Sequence, residues 1–360
     1  MRSGRLLAIA VSGAAVLGGG ACGGGKSGGS GTVSGAGSTF AAPLYDQLGS
    51  EFKDKDGTTI NYNPIGSGGG IAQFTARTVD FGATDAAMKD DEVRAAQKHG
   101  VPVHVPTAFG SITVAYNLPG VAKGLRLDGP TVADVFLGKI KKWNDPAIAK
   151  LNPGKKLPAT PITIVHRSDE SGTTKLFTQF LSDSSPQWKA KVGSDKTVKW
   201  PTGTGAKGND GVAGGVKQTD GAIGYVELAY ALQNKFTTAS VKNAAGKFVE
   251  PTLQSTSAAG DGLKIPADLR FSAINSPNPR AYPIASATFI LVYRDMCKAG
   301  IAKAQAERIA GWLSFVLGTG QKGAEQIQYA PDPPSIRQQA QAKVAGLRCN
   351  GSPLKGGAAA

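Results

Sequence analysis

Ile162-Thr163-Ile164-Val165-His166-Arg167-Ser168-Asp169-Glu170-Ser171-Gly172-Thr173-Thr174 is the stretch from which the architecture of this chain can be worked out. β-favouring residues run through His166 into Arg167, and short polar residues and a glycine follow. Lys175-Leu176-Phe177-Thr178-Gln179-Phe180-Leu181 then has helical character. A strand therefore ends in a tight turn that opens a helix. The first N–H groups of a helix lack intrahelical partners and carry partial positive charge, so such a turn attracts anions. Arg167 adds a planar fork of donors matched to a tetrahedral oxyanion. Taken alone, the turn also reads as an ordinary strand–helix junction with Ser171 as its N-cap.

Two further junctions of the same kind strengthen the anion reading. Gly35-Ala36-Gly37-Ser38-Thr39-Phe40 leads into residues 41–52, where Leu44, Leu48 and Phe52 fall at helical spacing and Ser38 or Thr39 is placed to cap. Thr58-Thr59-Ile60-Asn61-Tyr62 reads as a strand running into Ile65-Gly66-Ser67-Gly68-Gly69-Gly70 and a helix from Ile71. Several helix N-termini converging on one spot hold an anion with few full charges. Val79-Asp80-Phe81-Gly82-Ala83-Thr84-Asp85-Ala86 sets Asp80 and Asp85 around a small-residue strand. An ionised carboxylate only accepts hydrogen bonds. Asp85 in an anion site therefore suits an oxyanion that keeps a proton, as phosphate does, and repels sulfate, which keeps none. Otherwise Asp85 would simply cap a helix beginning near Lys89.

At 360 residues the expected organisation is two α/β lobes, and 41% hydrophobic content supports real cores. The formal charge of +14 is dispersed, with Lys139-Ile140-Lys141-Lys142 the densest basic run. No aromatic-interleaved basic helix or RNA-binding signature accompanies it, so no nucleic-acid partner is expected. No His/Cys/carboxylate group has ligand spacing, so no metal and no cofactor is expected. Residues 1–21 read as a signal peptide: Arg2 and Arg5, a short apolar run from Leu6 to Leu17, then small residues before Cys22. Cys22 is the expected lipidation site, although Gly19 stands where the lipoprotein pattern prefers Leu. Residues 22–31, nearly all Gly and Ser, read as a flexible tether. Gly20-Ala21-Cys22-Gly23-Gly24-Gly25-Lys26-Ser27 matches the nucleotide-binding P-loop letter for letter, but no strand precedes it and no helix follows. Gly203-Thr204-Gly205-Ala206-Lys207-Gly208 matches the dinucleotide pattern, without a clear βαβ unit around it.

Further along, residues 109–117 read as a strand after Pro106-Thr107, and a helix begins near Pro130-Thr131. Residues 221–231 read as a strand turning into a helix. Residues 242–280 lack periodic signal and read mostly as loops, and residues 282–293 as a returning strand that makes the lobes discontinuous. Ile309, Trp312, Leu313 and Val316 share one helical face. Pro334 opens a last helix, with Ile336, Ala340, Val344 and Leu347 spaced for burial and its end near Cys349. A serine hydrolase with Ser67 or Ser171 as nucleophile is the rival class. His99, His104 and His166 are scattered, and Gly66-Ser67-Gly68 is only part of a nucleophile elbow. No catalytic residue is assigned.

Across residues 33–353 the chain resembles the substrate-binding proteins of bacterial ABC-type high-affinity phosphate uptake systems. The resemblance rests on the segments quoted above around Ser38, Ser67, Asp85 and Arg167. It rests also on Leu137-Gly138-Lys139-Ile140-Lys141-Lys142-Trp143, Gly205-Ala206-Lys207-Gly208-Asn209-Asp210-Gly211, Gly221-Ala222-Ile223-Gly224-Tyr225-Val226-Glu227 and Thr288-Phe289-Ile290-Leu291. It implies a two-lobed periplasmic-binding-protein-like (type II) fold. A discontinuous lobe I (32–107 plus 285–354), a lobe II (108–284), a hinge near Thr107 and Pro283 and a frayed tail (355–360) would follow. Phosphate would be bound by Ser38, Thr39, Phe40, Ser67, Asp85, Arg167, Ser171, Gly172 and Thr173, with Asp169 holding Arg167. Sulfate or molybdate in the same fold is the nearer alternative. Glu170 departs from the glycine common at its place. The resemblance implies delivery to ABC transporter permease subunits by a monomer outside the cytoplasm, lipid-anchored to the membrane through Cys22. The Lys139–Lys142 run is then a solvated or a transporter-facing surface. Outside the cell and both in lobe I, Cys297 and Cys349 are expected to form a disulfide.

Overall fold

A computed structural model describes residues 31–121 and 123–356. The signal segment 1–21, the lipidation at Cys22, the tether as far as residue 30 and residues 357–360 of the tail lie outside the described residues. The chain begins with β1 (Thr32–Gly37), α1 (Ala42–Asp56), β2 (Thr59–Asn63), α2 (Ser67–Ala76), β3 (Phe81–Thr84) and α3 (Asp90–Gln97). Next come β4 (Pro102–Asn117), β5 (Arg126–Leu127), α4 (Gly129–Phe136), α5 (Pro146–Leu151), β6 (Thr163–Arg167), α6 (Gly172–Ser184) and α7 (Pro186–Lys191). They lead to β7 (Thr204–Ala206), α8 (Gly208–Gln218), β8 (Ala222–Glu227), α9 (Leu228–Gln233), β9 (Thr237–Thr238), β10 (Ser240–Lys242), β11 (Phe248–Val249) and α10 (Leu253–Gly260). The chain then returns as β12 (Ala285–Tyr293), α11 (Lys303–Leu317), α12 (Gly320–Gln326), α13 (Pro334–Ala345), β13 (Arg348–Cys349) and β14 (Ser352–Pro353).

One nine-stranded sheet carries the order β2-β1-β3-β12-β4-β8-β6-β7, with β9 added beside β4. Its two halves are each parallel where helices cross over: β1 lies parallel between β2 and β3, and β6 parallel between β7 and β8. The halves are joined by antiparallel pairs through one long strand. β4 pairs with β12 over Pro102–Ser111 and with β8 over Ile112–Asn117. A bulge sits where β12 steps from Thr288 to Phe289, leaving Thr107 unpaired in the ladder. Its hydroxyl bonds instead to Tyr45 Oη at 3.1 Å and to the Thr288 carbonyl at 3.2 Å.

Several elements differ from the sequence expectation. β4 starts seven residues earlier than the 109–117 segment: Pro106 stands in register opposite Phe289, beside the Thr107 bulge, the kind of place where a strand tolerates a proline. Within 242–280 stands α10, opened by a capping box between Thr252 and Ser255. The last helix ends at Ala345, and Cys349 lies in the β13–β14 hairpin. Residues 355–356 form a turn with Ser314 Oγ donating to the Gly356 carbonyl at 2.5 Å, so the start of the expected frayed tail is tied down. The Gly203–Gly208 segment does lie in a βαβ unit, β7-α8-β8. The basic run is solvated at Lys139, Lys141 and Lys142, while Ile140 within it and Trp143 after it are buried.

Ile309, Trp312, Leu313 and Val316 of α11 are buried, as are Ile336, Ala340 and Val344 of α13. Cys297 and Cys349 are joined by a disulfide with Cα atoms 4.7 Å apart, spanning 52 residues. A loop of that length makes the bridge worth about 4 kcal/mol in the chain-entropy account. The double variant Cys297→Ser/Cys349→Ser should lose about that much in a urea unfolding titration.

Candidate phosphate site

Six separate segments of chain meet in one buried hydrogen-bonded cluster. Ser38, Thr39, Ser67, Asp85, Arg167, Ser171 and Thr173 are all nearly solvent-free. Ser38 and Thr39 come from the β1–α1 connection, Ser67 from the first turn of α2, and Asp85 follows β3. Arg167 ends β6, and Ser171, Gly172 and Thr173 open α6. The three strand–helix junctions expected from sequence therefore do converge. Among the described residues, the N–H groups of Phe40, Ser67, Gly172 and Thr173 meet no protein acceptor.

Asp85 is the centre of the cluster. Its Oδ1 accepts from Ser38 Oγ and, at 3.0 Å, from Thr288 Oγ1. Its Oδ2 has only long contacts, to Ser67 Oγ at 3.5 Å and Thr173 Oγ1 at 3.4 Å. Burial pushes the Asp85 carboxyl up to about 6, against the pull of the Ser38 and Thr288 hydroxyls and the Arg167 charge. It does not cap α3, whose N-cap is Lys89. Nor do Ser38 and Thr39 cap α1. Ala41 is its N-cap, and Ser38 Oγ accepts from the Ala41 N–H at 3.2 Å while donating to Asp85.

Arg167 is held by a two-point pair with Asp169: Nε to Oδ1 at 2.7 Å and Nη2 to Oδ2 at 2.5 Å. Nη1 is left to face Thr173 Oγ1 at 3.4 Å. Burial favours the neutral form of Asp169, but the Arg167 bonds and charge outweigh it and hold the carboxyl below its ordinary range. Ser171 serves as the N-cap of α6, its Oγ accepting from Thr174 N–H at 3.0 Å, and its own N–H donates to the Lys196 carbonyl. Its backbone donor is thus already used, and only its hydroxyl proton remains for a ligand. Lys196 in turn pairs with Glu92, and Lys89 with Asp195 at 2.6 Å, fastening α3 to the loop behind the α6 turn.

Glycines make the close approach possible. A Cβ on Gly172 would stand 2.4 Å from Ser67 Oγ and 2.9 Å from Asp85 Oδ2. Glu170 fits because Gly68 faces it: the Gly68 N–H donates to the Glu170 carbonyl at 3.0 Å, and a Cβ there would lie 2.1 Å from the Glu170 Cδ.

Two members of the cluster escaped the sequence reading. Asn209, fully buried at the start of α8, donates to Thr39 Oγ1 at 2.9 Å and Thr173 Oγ1 at 3.3 Å. Thr288 reaches Asp85 from β12. Both lie in segments quoted above only for their resemblance. The strand-to-helix turn at 203–208 was the local signal for Asn209, whereas nothing local marks Thr288. His104 and His166 are engaged with Met88 N–H and the Arg167 carbonyl, and among the described residues neither Ser67 nor Ser171 bonds to a histidine.

The α/β frame gathers a buried cluster of neutral donors around one arginine and one carboxylate, and residues 24–319 match the family model described as the PBP superfamily domain. The phosphate-binding protein PstS of Xylella fastidiosa is 44% identical over 313 residues, 86% of this chain and 84% of that one. PstS of Pasteurella multocida is 42% identical, covering 87% of this chain and 89% of its own. The chain belongs to the PstS family of phosphate-binding proteins. Among solved structures, a high-affinity periplasmic phosphate-binding protein (PfluDING) bound with phosphate is similar at TM-score 0.69 and 21% identity, over 86% of this chain and 93% of that one. A substrate-binding protein of a phosphate ABC transporter from Clostridium perfringens is similar at TM-score 0.61 and 18% identity, over 83% and 99%. The fold is periplasmic-binding-protein-like.

Proposed function

We propose that this chain captures inorganic phosphate between two lobes outside the cytoplasm and delivers it to an ABC transporter. The observation that carries the proposal is the single buried network joining Thr39, Ser67, Asp85, Arg167 and Thr173 around an acceptor, Asp85 Oδ2, that has no close donor of its own. Thr39, Phe40, Ser67, Gly172 and Thr173 supply neutral donors, Arg167 the charge, and Ser38 fixes Asp85. Ser171 contributes through its hydroxyl alone. Asp85 Oδ2 accepts the proton that phosphate retains and repels the bare oxygen of sulfate. Lobe I is 32–107 with 285–354 and lobe II 108–284. The bulge at Thr107 lies on the strand pair that crosses between them, where a hinge would flex.

The anchor is a lipid on Cys22, the 22–31 segment is its tether, and the chain acts as a monomer. No chemistry is assigned: among the described residues no histidine bonds to Ser67 or Ser171. Among the described residues no helix is long and apolar enough to cross a membrane. Isothermal titration of the purified chain with phosphate, sulfate and molybdate tests the proposal. Tight binding of phosphate alone supports it, and preference for sulfate or molybdate sinks it. Turnover of a chromogenic phosphate ester would move the chain to the hydrolase class.

A further inference from the structure

We infer that Asn209 sets the direction in which two threonine hydroxyls of the site donate, which makes it a positioning residue for phosphate; this rests on the phosphate-binding reading above. A hydroxyl oxygen has two acceptor positions and one proton. Asn209 fills both acceptor positions of Thr39 Oγ1, with its backbone N–H at 3.2 Å and its Nδ2 at 2.9 Å. The Thr39 proton must therefore point away from Asn209. Thr173 Oγ1 likewise accepts from Asn209 Nδ2 at 3.3 Å and Arg167 Nη1 at 3.4 Å, so its proton turns toward Asp85 Oδ2, 3.4 Å away.

The orientation of the Asn209 amide is itself fixed. Its Oδ1 accepts from the backbone N–H of Glu227 at 3.0 Å, a group that can only donate, so the Nδ2 face is the one turned to the threonines. Thr39 follows β1 and Thr173 opens α6, in opposite halves of the sheet. One amide thus aligns donors on both sides of the cluster before any ligand arrives. Pre-oriented donors cost no reorganisation on binding.

The test is a coupling measurement by phosphate titration in the full chain. Asn209→Asp keeps the acceptor for Glu227 but replaces the donor with another acceptor, so both threonine protons turn inward. Its affinity loss should be at least tenfold larger in the otherwise unchanged chain than in a Thr39→Val/Thr173→Val background. Repulsion from the added charge persists in both backgrounds and cancels. Asn209→Leu, which adds no charge, should show the same inequality with a smaller loss. Melting temperatures of each variant separate folding from binding. Equal losses in the two backgrounds would overturn the inference, since a merely structural Asn209 acts whether or not the hydroxyls are there. Absence of phosphate binding by the unaltered chain would instead sink the reading beneath it.

Discussion

Arg167→Ala should lose phosphate affinity by roughly a hundredfold to a few thousandfold, and Arg167→Ala/Asp169→Ala should bind more tightly than Arg167→Ala alone. The first expectation follows from burial. Only 1% of the Arg167 side chain is exposed, and it supplies the one full positive charge that the cluster contains. Breaking a buried ion pair by removing one partner costs about 3–5 kcal/mol, and each 1.4 kcal/mol is tenfold in binding. The second follows from what is left behind. Asp169, whose carboxyl is held in the charged form mainly by Arg167, would remain as an unpaired anion beside an anion site. Removing it should recover roughly tenfold. Titration calorimetry on the two variants decides the matter: a double variant as weak as the single one would show that the repulsion is negligible. Asp169→Ala alone should be the mildest of the three, because Arg167 then loses its orientation but keeps its charge.

The parts of this site that the sequence disclosed are those whose chemistry is local. A strand ending in small residues before a helix is visible in a dozen letters, and three such junctions, at Ser38, Ser67 and Ser171, all proved to be strand–helix turns at one cluster. Arg167 and Asp169 are two residues apart and form their pair almost independently of the fold. What stayed hidden depends on distant segments. Thr288 lies 203 positions from Asp85, and Asn209 lies 170 from Thr39, so their roles exist only once the sheet is assembled. The same holds for β4. Its prolines argue against a strand until the sheet sets Pro102 at the strand's first position and Pro106 beside the Thr107 bulge. α10 was invisible for another reason. Its buried positions are Ser255, Thr256, Ala258, Ala259 and Gly260, which give no apolar periodicity to read. Glu170 is instructive in the opposite sense: a charged residue beside the site is tolerated because its partner across the cluster, Gly68, has no side chain.

Asp85→Asn should make the ligand-free protein more stable and the binding site less selective. The stability sign follows from the raised carboxyl. Asp85 has an ordinary value of 3.8 and sits at about 6 in the folded chain, so the folded state holds this proton more tightly than the unfolded state. Below 3.8 both states are protonated, and the group adds no pH dependence. As pH rises from there to about 6 the unfolded chain ionises first, and stability falls until the full penalty is reached. A separation of that size is worth roughly 3 kcal/mol, so the asparagine variant should gain up to that amount at neutral pH and lose the slope across the interval. Denaturant midpoints at pH 4 and pH 7 test this, and an unchanged slope in the variant would contradict it. The binding sign runs the other way. Ser38 and Thr288 donate to Oδ1, so the new amide nitrogen takes the place of Oδ2 and presents N–H where the carboxylate presented a lone pair. Phosphate loses a charge-assisted bond worth about 1.5–3 kcal/mol, a drop of roughly ten- to a hundredfold. Sulfate loses a like-charge repulsion of several kcal/mol and gains a donor. Discrimination between the two anions should therefore collapse from both ends, and titration showing intact selectivity in Asp85→Asn would remove the carboxylate from the recognition of phosphate.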